Sequence, residues 1–588
     1  MNSFIYDTLP TKRHFRYLVL QPGDGDDALI GELRTAHIDQ ALDFDAISYV
    51  WGSPLQVSEI ECAGNSIRLT ASLRDVLRSL RLPDKPKCLW ADQICINQGD
   101  IAERSRQVAL MADIYKKSKT TLVHLGKVTP EEASNVASLL AEVNDLIRVQ
   151  MGTLSSWDRV ANVAPDDPIT VDERWMSIGA LTQRPWFDRV WVVQEAGLSS
   201  RPVILFGDLI FEWETVFRAL KWVQLRATVI AYKFHLNWHG IHMDREEIWC
   251  GKEPSGTAAP WSFLDVMHAS RQLQATEIRD HLFAFLGHPA ASHPDTKQLI
   301  ITPDYARDIA ELHLEFATRY IQWTKNLDIL SFVQEAGRLS SSWVPSWAAF
   351  DGSVLAQLGE AVYNAGGARV KTLPSFPVGG KGLNIEGVLL DDFHFLSPTF
   401  LESDFSWGRC GHPGQEGHKW AGILEHVLDP SAPYIHQGHR FASCAITATI
   451  GISGLKIDEL ESAFSRFLVS YRPDIERRLG EAELNRLLGP AAISGLEGES
   501  IEAAIAAPLI NRRFAISKGG RYGVVPSTAN MGDTICVIIG AKTPFVIRRT
   551  AVDPGEHTLV GECYVQGIMN GEMLDVQGIP DVGPITLV

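Results

Sequence analysis

The sequence has few of the features that disulfide-rich or nucleic-acid-binding proteins require. Its eight cysteines form no Cys-x-x-Cys pair, and at this density, after a start without a signal-like segment, we expect free thiols in a reducing compartment. Basic residues are also in deficit. The 54 lysines and arginines against 71 acidic residues give a net charge of −17, which disfavours nucleic acid or an anionic membrane as the main partner.

Long apolar runs and several familiar motifs are missing as well. No uncharged apolar run could cross a bilayer, and MNSFIYDTLPTKRHFRY lacks the apolar core of a signal peptide, so we expect a cytoplasmic protein without a membrane span. No P-loop, His-Glu-x-x-His or Gly-x-Ser-x-Gly motif occurs, which leaves an NTPase, a zincin or an α/β-hydrolase unsupported. We expect no metal site, because His235, His239 and His242 lack a nearby cysteine or carboxylate in a known ligand arrangement.

The chain is long enough for several globular domains, with 588 residues of which 45% are apolar and 21% charged. Strand and helix patterns alternate over 1–210, which predicts an α/β domain with a mainly parallel sheet. Residues 211–335 are expected to be a helical region. Residues 336–588 are expected to be an α+β region that ends in a small β-barrel or sandwich, because short strand patterns there are separated by turn sequences.

Four strands are predicted in the first region, at 44–51, 87–91, 120–125 and 202–206. Helices are predicted at 70–81, 100–117 and 130–150, the first two with capping boxes at Ser72/Asp75 and Asp100/Glu103. Ligands of a parallel sheet usually bind at the carboxyl ends of its strands. The segments after the first two strands are therefore the first candidates for a site.

Two tryptophan-bearing motifs occupy these segments. In ISYVWG the strand ends in Trp51-Gly52, which places an aromatic at the sheet edge, although a core tryptophan and a turn would give the same pattern. In WADQICINQ, Asp92, Asn97 and Gln98 are expected on a loop at a strand end, either as ligand contacts or as partners of loop backbone groups. Cys95 in the same motif is expected to be a small buried residue rather than a nucleophile.

A third motif, RPWFDRVWVVQE, ends at Glu195. If it is helical from about Asp188, Trp191 and Glu195 share a helix face, and the indole would desolvate the carboxylate and suit it to acid/base or cation-stabilising chemistry. The alternative is an ion pair between Glu195 and Arg189 or another arginine. The residues alone leave both interpretations open.

In this order and spacing, the three motifs resemble the signature of the fungal HET (heterokaryon incompatibility) domain. The resemblance includes ERSRQVALMADIYKKS and continues in ATEIRDHLFAFLGH, PDYA and WVPSW, while GRYGVVPSTANMGDTICVIIG and GECYVQGIMNGE are similar to the C-terminal regions of large members. Arg279-Asp280-His281 departs from the more usual Arg-Asp-Lys of the family. The resemblance implies a nonself-recognition protein that triggers programmed cell death and that self-associates or docks on an incompatibility partner protein.

HET domains are in turn similar to Toll/interleukin-1-receptor (TIR) domains, which have a flavodoxin-like fold and some of which cleave NAD. Trp191-Val192-Val193-Gln194-Glu195 resembles the TIR Trp-x-x-x-Glu pattern, and the strand ending in Ser48-Tyr49 resembles the first TIR strand. The resemblance implies a TIR-like N-terminal domain and Glu195 as the catalytic carboxylate of an NAD glycohydrolase, with NAD as substrate and no cofactor. A non-catalytic scaffold, in which the motifs hold the fold, is the alternative. The implied substrate-binding residues are Ser48, Tyr49, Trp51, Gly52, Asp92, Asn97, Gln98 and Trp191.

Overall fold

The described part of the chain packs into two compact units, Met1–Asp308 and Ile309–Val588, called here the N-terminal and C-terminal units. The computed structural model describes residues 2–588 except 41, 153–156, 158–159, 165, 237–261, 335–340, 348–353, 356–362, 368–373, 378–380, 406–417, 437–438, 452–455, 472–497, 552, 554 and 575–581. The boundaries expected at 210 and 335 stay predictions. Among the described residues, every helix is too short or too polar to cross a bilayer.

A nine-stranded sheet forms the centre of the N-terminal unit, in the order β5-β4-β2-β1-β6-β3-β7-β8-β9. Its strands are β1 His14–Leu20, β2 Ile30–His37, β3 Asp45–Tyr49, β4 Gln56–Cys62, β5 Asn65–Thr70, β6 Lys87–Trp90, β7 Thr120–His124, β8 Pro202–Phe206 and β9 Leu209–Glu212.

The sheet is mixed rather than mainly parallel. The four strands predicted from the sequence are β3, β6, β7 and β8, and β3 pairs in parallel with β6 and β7, as β7 does with β8. Across the sheet these four strands lie in the order β6-β3-β7-β8, which is second, first, third and fourth in chain order. The other neighbours are mostly antiparallel, because tight turns such as the one at Gly207, with φ +62°, join β8 directly to β9.

Helices and short helical turns surround this sheet. The helices are Ala71–Leu80, Asp92–Cys95, Ile101–Val108, Met111–Lys117, Pro130–Met151, Trp175–Thr182, Trp213–Arg226, Thr228–Lys233, Phe263–Ala269 and Asp280–Phe283, with 3₁₀ turns at Pro168–Val171, Pro185–Asp188 and Pro289–Ala291 and a π-helical turn at Val193–Gly197. The described helices between 213 and 324 confirm a helical middle region.

Two helix starts differ from the predicted capping boxes. The first helix begins one residue after Thr70, whose side chain accepts the N–H of Leu73, while the hydroxyl of Ser72 donates to the Val50 carbonyl at 2.5 Å. Asp100 does cap its helix through the N–H of Glu103, but the Glu103 carboxylate bonds to Arg16 and to the Asn97 N–H, so no capping box forms. The helix predicted over 100–117 also breaks in two, between 108 and 111.

The C-terminal unit is β-rich, as predicted. Its strands are β10 Leu383–Leu396, β11 Arg512–Ser517, β12 Tyr522–Pro526, β13 Thr534–Ile538, β14 Phe545–Arg549, β15 Glu556–Glu562, β16 Tyr564–Val565 and β17 Gly583–Leu587. Its helices are Ile309–Thr324, His418–Leu428, Arg440–Ala448, Ile457–Tyr471 and Gly498–Leu509, with 3₁₀ turns at Asp328–Phe332 and Glu402–Phe405.

Five of these strands close into a ring. The pairing runs β13-β14-β15-β17-β10, and β10 also pairs with β13. The strand β10 has 14 residues and a register shift between Leu389 and Asp391, which lets it leave the ring and continue alongside β11. A second apolar cluster, which includes Trp420, Phe441 and Phe464, packs the helices of this unit against the extension. The predicted alternatives were a barrel or a sandwich, and the closed ring corresponds to the first.

Candidate functional site

A cleft of about 590 Å³ opens where β3 and β6 end in the N-terminal unit, and we call it the strand-end cleft. Open α/β sheets bind ligands at this edge. Its polar and aromatic lining consists of Trp51, Asp92, Gln98, Arg104, Arg189, Trp191, Gln274, Thr276, Glu277, Asp280 and Tyr305. Five of these, Trp51, Asp92, Gln98, Arg189 and Trp191, come from the three sequence motifs.

The first wall of the cleft is built on Asp92. The indole N–H of Trp51 donates to both carboxylate oxygens, at 3.1 and 2.9 Å, and the backbone N–H of Gln93 donates to one of them at 2.8 Å. Gly52, with φ +66°, turns the chain directly after Trp51. Burial, together with the nearby Glu195 carboxylate, raises the pKa of Asp92 to about 6. Burial thus favours the neutral form of Asp92.

The predicted loop residues take different places. Asp92 starts a single helical turn, Asp92–Cys95, rather than lying on an irregular loop. Gln98 lines the cleft, and its amide donates to the Asp92 carbonyl at 2.9 Å. The side chain of Asn97 instead accepts the N–H of Gly99 at 3.2 Å and is absent from the cleft lining, which is the backbone-satisfying role left open for it. Cys95 is fully buried, as expected.

The second wall is built on Asp280. Its two carboxylate oxygens accept the indole N–H of Trp191 at 3.1 Å and the hydroxyl of Tyr305 at 2.7 Å. The guanidinium of Arg104 lies 4.0 Å from the centre of the Tyr305 ring. Burial raises the pKa of Asp280 to about 6. The strand-end cleft thus holds a carboxylate on each wall, and a tryptophan N–H is bonded to each of them.

The sequence reasoning missed Asp280, Tyr305 and Arg104 as site residues. All three lie in segments whose resemblance to the HET family was noted, ERSRQV, ATEIRDH and PDYA. Polar residues in such segments often serve function rather than packing. The presence of Asp280 and Tyr305 there was therefore the signal that could have identified them as site residues. No spacing rule links them to the tryptophan motifs, since Trp191 and Asp280 are 89 residues apart.

Glu195 lies behind the cleft rather than on its surface. Its side chain is 2% exposed, and Arg189, whose side chain is 19% exposed and lines the cleft, donates to both of its oxygens at 2.9 and 2.8 Å. The hydroxyl of Ser48 also donates to Glu195 and accepts the indole N–H of Trp186 at 2.7 Å. The ion pair with Arg189, one of the two interpretations of the motif, is present.

A helix from about Asp188, which was the condition for Trp191 and Glu195 to share a helix face, does not form. Gln274 bridges the backbone there, because its N–H donates to the Asp188 carbonyl at 2.5 Å and its carbonyl accepts the Val190 N–H at 3.0 Å. This extended pairing excludes a helix, and only a π-helical turn at Val193–Gly197 follows. Trp191 lies at the start of this turn, where its carbonyl accepts the backbone N–H of Glu195 at 3.0 Å, and its indole N–H donates to Asp280.

Tyr49 and Ser48 are both buried on β3. Burial and the nearby Asp92 carboxylate raise the pKa of Tyr49 well above its usual value, which keeps its phenol neutral. Neither residue is among those that line the cleft. Of the expected substrate-binding residues, the structure brings Trp51, Gly52, Asp92, Gln98 and Trp191 to the cleft and places Ser48, Tyr49 and Asn97 beneath or beside it.

The chemistry available in the strand-end cleft comes from carboxylates, guanidinium groups and indole rings. Within the described residues, no group of three or more His, Cys, Asp or Glu side chains is arranged to hold a metal ion. Of the three histidines considered above, His239 and His242 lie outside the described residues.

Comparison with known proteins confirms the resemblance to the HET family. Residues 44–195 match the family model described as "Heterokaryon incompatibility protein (HET)", and residues 487–581 match the "Het-6 beta-barrel domain". The chain is 23% identical to "Heterokaryon incompatibility protein 6, OR allele" of Neurospora crassa, over 98% of this chain and 97% of that protein. No solved structure matches the chain. Asp280 and Tyr305 lie outside the matched segment 44–195.

Proposed function

We propose that this chain acts in heterokaryon incompatibility and triggers programmed cell death by cleaving NAD in the strand-end cleft. The observation that carries the proposal is the position of this cleft, which opens at the ends of parallel strands inside the segment that matches the HET family. The proposal includes a TIR-like fold and a cytoplasmic location. The strand order second, first, third, fourth supports that fold, because flavodoxin-like sheets share it.

The lining of the cleft suits NAD as a substrate. NAD carries a negatively charged pyrophosphate, which guanidinium groups bind through charge-assisted hydrogen bonds. Arg189 lines the cleft, and so do Trp51 and Trp191, whose indole rings would stack on an aromatic base. A net charge of −17 does not prevent this, because the attraction is local to the cleft.

Arg189 connects the cleft to Glu195, the proposed catalytic carboxylate. A phosphate group in the cleft would compete with Glu195 for the Arg189 guanidinium and so free the carboxylate. Glu195 would then stabilise the oxocarbenium-like transition state. In the reaction the bond between ribose C1′ and the nicotinamide nitrogen breaks, and its electron pair leaves with nicotinamide. Water adds its oxygen to C1′ and releases a proton.

A non-catalytic scaffold is the second candidate, and the burial of Glu195 favours it. The Glu195 carboxylate is 2% exposed and is bonded to both Arg189 and Ser48, and these features are also typical of a structural ion pair. In this case the motifs hold the fold, and the N-terminal unit self-associates or docks on an incompatibility partner protein.

The test is to incubate the purified full chain with NAD and to separate the products by chromatography. The proposal predicts release of nicotinamide and ADP-ribose by the native chain and none by Glu195→Gln. The matched control is Glu103→Gln, which removes another buried pair in the same unit, with Arg16 at 2.5 and 3.0 Å, away from the cleft lining.

The outcomes separate the two candidates. If Glu195→Gln folds and still releases nicotinamide, Glu195 is not the catalytic residue. If the Glu195 and Glu103 variants lose stability and activity equally, Glu195 acts through the fold. If the folded native chain releases no nicotinamide, NAD cleavage is refuted and the scaffold is favoured.

A further inference from the structure

We infer that Arg104, Tyr305 and Asp280 form a subsite for a ribose phosphate group on the second wall of the strand-end cleft. The inference rests on the proposed function in taking a nucleotide as the ligand, but the subsite itself is argued from geometry. Two of its three residues lie outside the segment that matches the HET family.

Arg104 differs from two other arginines of the N-terminal unit. Arg16 and Arg189 each donate two hydrogen bonds to a buried glutamate. Within the described part of the chain, the Arg104 side chain has neither an ion pair nor a hydrogen-bond partner, and its Nε is shielded from solvent. A guanidinium whose N–H groups have no protein partner is free to donate them to an anion that enters the cleft.

Tyr305 fixes where this free guanidinium lies. The Arg104 guanidinium stacks on the Tyr305 ring at 4.0 Å from its centre, and stacking of this kind orients a planar cation while leaving its N–H groups available. The backbone N–H of Tyr305 is held by the Ser105 hydroxyl at 3.1 Å, so the ring is tied to the helix that carries Arg104. Both residues line the cleft. The planar donor array therefore lies beside the open space of the cleft.

Asp280 supplies the acceptor half of the subsite. Its oxygens accept one hydrogen bond each, from Trp191 and from Tyr305, whereas a carboxylate has about four acceptor positions. The remaining positions are available to ligand hydroxyl groups. Asp280 is near enough for the Arg104 charge to act on it, yet the two side chains make no ion pair with each other.

The presence of Arg104 and Asp280 on the same wall selects the class of ligand. A bare anion would be attracted by Arg104 and repelled by the neighbouring Asp280 carboxylate, whereas a neutral sugar would leave the guanidinium unpaired. A ribose phosphate satisfies both groups, since its phosphate accepts from Arg104 and its hydroxyls donate to Asp280. The second wall thus fits a phosphorylated ribose such as those within NAD.

The subsite is tested by titration calorimetry of the full chain with ribose 5-phosphate, inorganic phosphate and ribose. We expect ribose 5-phosphate to bind more tightly than either fragment. Arg104→Gln should weaken its binding by about tenfold or more, since hydrogen bonds to charged groups are worth this much. Arg106→Gln is the matched control, because Arg106 is exposed on the same helix and absent from the cleft lining, and it should leave binding unchanged.

A second variant addresses the hydroxyl contacts. Asp280→Asn should weaken ribose 5-phosphate while inorganic phosphate binds as well or better, because the repelling charge is gone. The inference is overturned if folded native chain does not bind ribose 5-phosphate, if inorganic phosphate binds equally well, or if the Arg104 and Arg106 variants weaken binding equally. Circular dichroism checks that each variant folds, and Arg104→Lys replaces Arg104→Gln if the latter does not.

This experiment also separates the inference from the proposed function. Binding of ribose 5-phosphate by a chain that releases no nicotinamide would refute NAD cleavage and support the subsite. Nicotinamide release by a chain whose Arg104→Gln variant keeps full affinity for ribose 5-phosphate would support NAD cleavage and refute the subsite.

Discussion

Breaking the Arg189–Glu195 pair should destabilise the N-terminal unit by an amount that the structure allows us to work out. Glu195 is 2% exposed and receives two guanidinium hydrogen bonds at 2.8 and 2.9 Å. Removing one partner of a buried pair costs about 3–5 kcal/mol, because the other charge stays buried without compensation. Glu195→Gln should fall near the low end, since the Arg189 side chain it leaves is 19% exposed.

The double variant distinguishes an interaction from two separate defects. Arg189→Met should cost more than Glu195→Gln, since it leaves the more deeply buried charge alone. The combined variant should be less destabilised than the sum of the two by about 1–3 kcal/mol, because neither uncompensated charge remains. Native-state hydrogen exchange of the β3 amides is the suitable assay, because a chain of two compact units need not unfold in one step.

Additivity would refute this reasoning. If the double variant equals the sum of the single variants within about 0.5 kcal/mol, the two side chains do not depend on each other. The surface pair between Arg148 and Asp145, whose side chains are 76% and 70% exposed, provides the control, since an exposed pair should contribute about 0–1 kcal/mol.

Three further predictions concern pH, a hydroxyl and the C-terminal unit. Asp92 and Asp280 have folded pKa values of about 6, above the unfolded value of about 3.9, so their contribution to the free energy of unfolding should be complete below pH 4 and lost as the pH rises through 6. The urea midpoint of the Asp92→Asn, Asp280→Asn double variant should therefore change less than that of the native chain between pH 4 and 6.5, and an equal change would contradict the assignment. Ser48→Ala should cost about 1–3 kcal/mol in β3 exchange, because it leaves the Trp186 N–H and a Glu195 oxygen without this partner, and a cost near zero would show that water replaces the hydroxyl. Glu562→Gln, which breaks a buried contact with Arg512 at 3.2 Å, should speed exchange in β15, and an unchanged rate there would show that the pair contributes nothing.

The parallel strands could be predicted from the sequence because their signal is local. Each of β3, β6, β7 and β8 is a short apolar run bounded by turn residues, and each lies within two residues of its predicted position at both ends. The strand β1 could not be found in this way. It carries a buried arginine, Arg16, whose charge is paired with Glu103, 87 residues along the chain. A prediction made from neighbouring residues in the sequence cannot detect a partner so far along the chain.

Only part of the site could be predicted, because again only the local signals can be found from the sequence. Trp51, Asp92 and Trp191 lie on segments where a strand or turn determines their position, and all three reach the cleft. A helix that would place Glu195 beside Trp191 was one of two interpretations, but pairing of Gln274 with Asp188 and Val190 prevents that helix from starting at Asp188. The second wall depends on Asp280 and Tyr305, which approach Trp191 only through the tertiary fold.

The position of β1 in the sheet also limits where recombination can exchange segments of this protein. The matched segment 44–195 contains β3 to β7 but neither β1, which pairs with β6, nor β8, which pairs with β7. It also lacks β2, which pairs with β4, so a fragment of that length would leave edges of β4, β6 and β7 unpaired, and such edges invite aggregation. Recombination between related genes at either border would join strands that had never been selected together. Viable exchanges should therefore have crossover points outside β1 and β9, so that the whole sheet is inherited as one block.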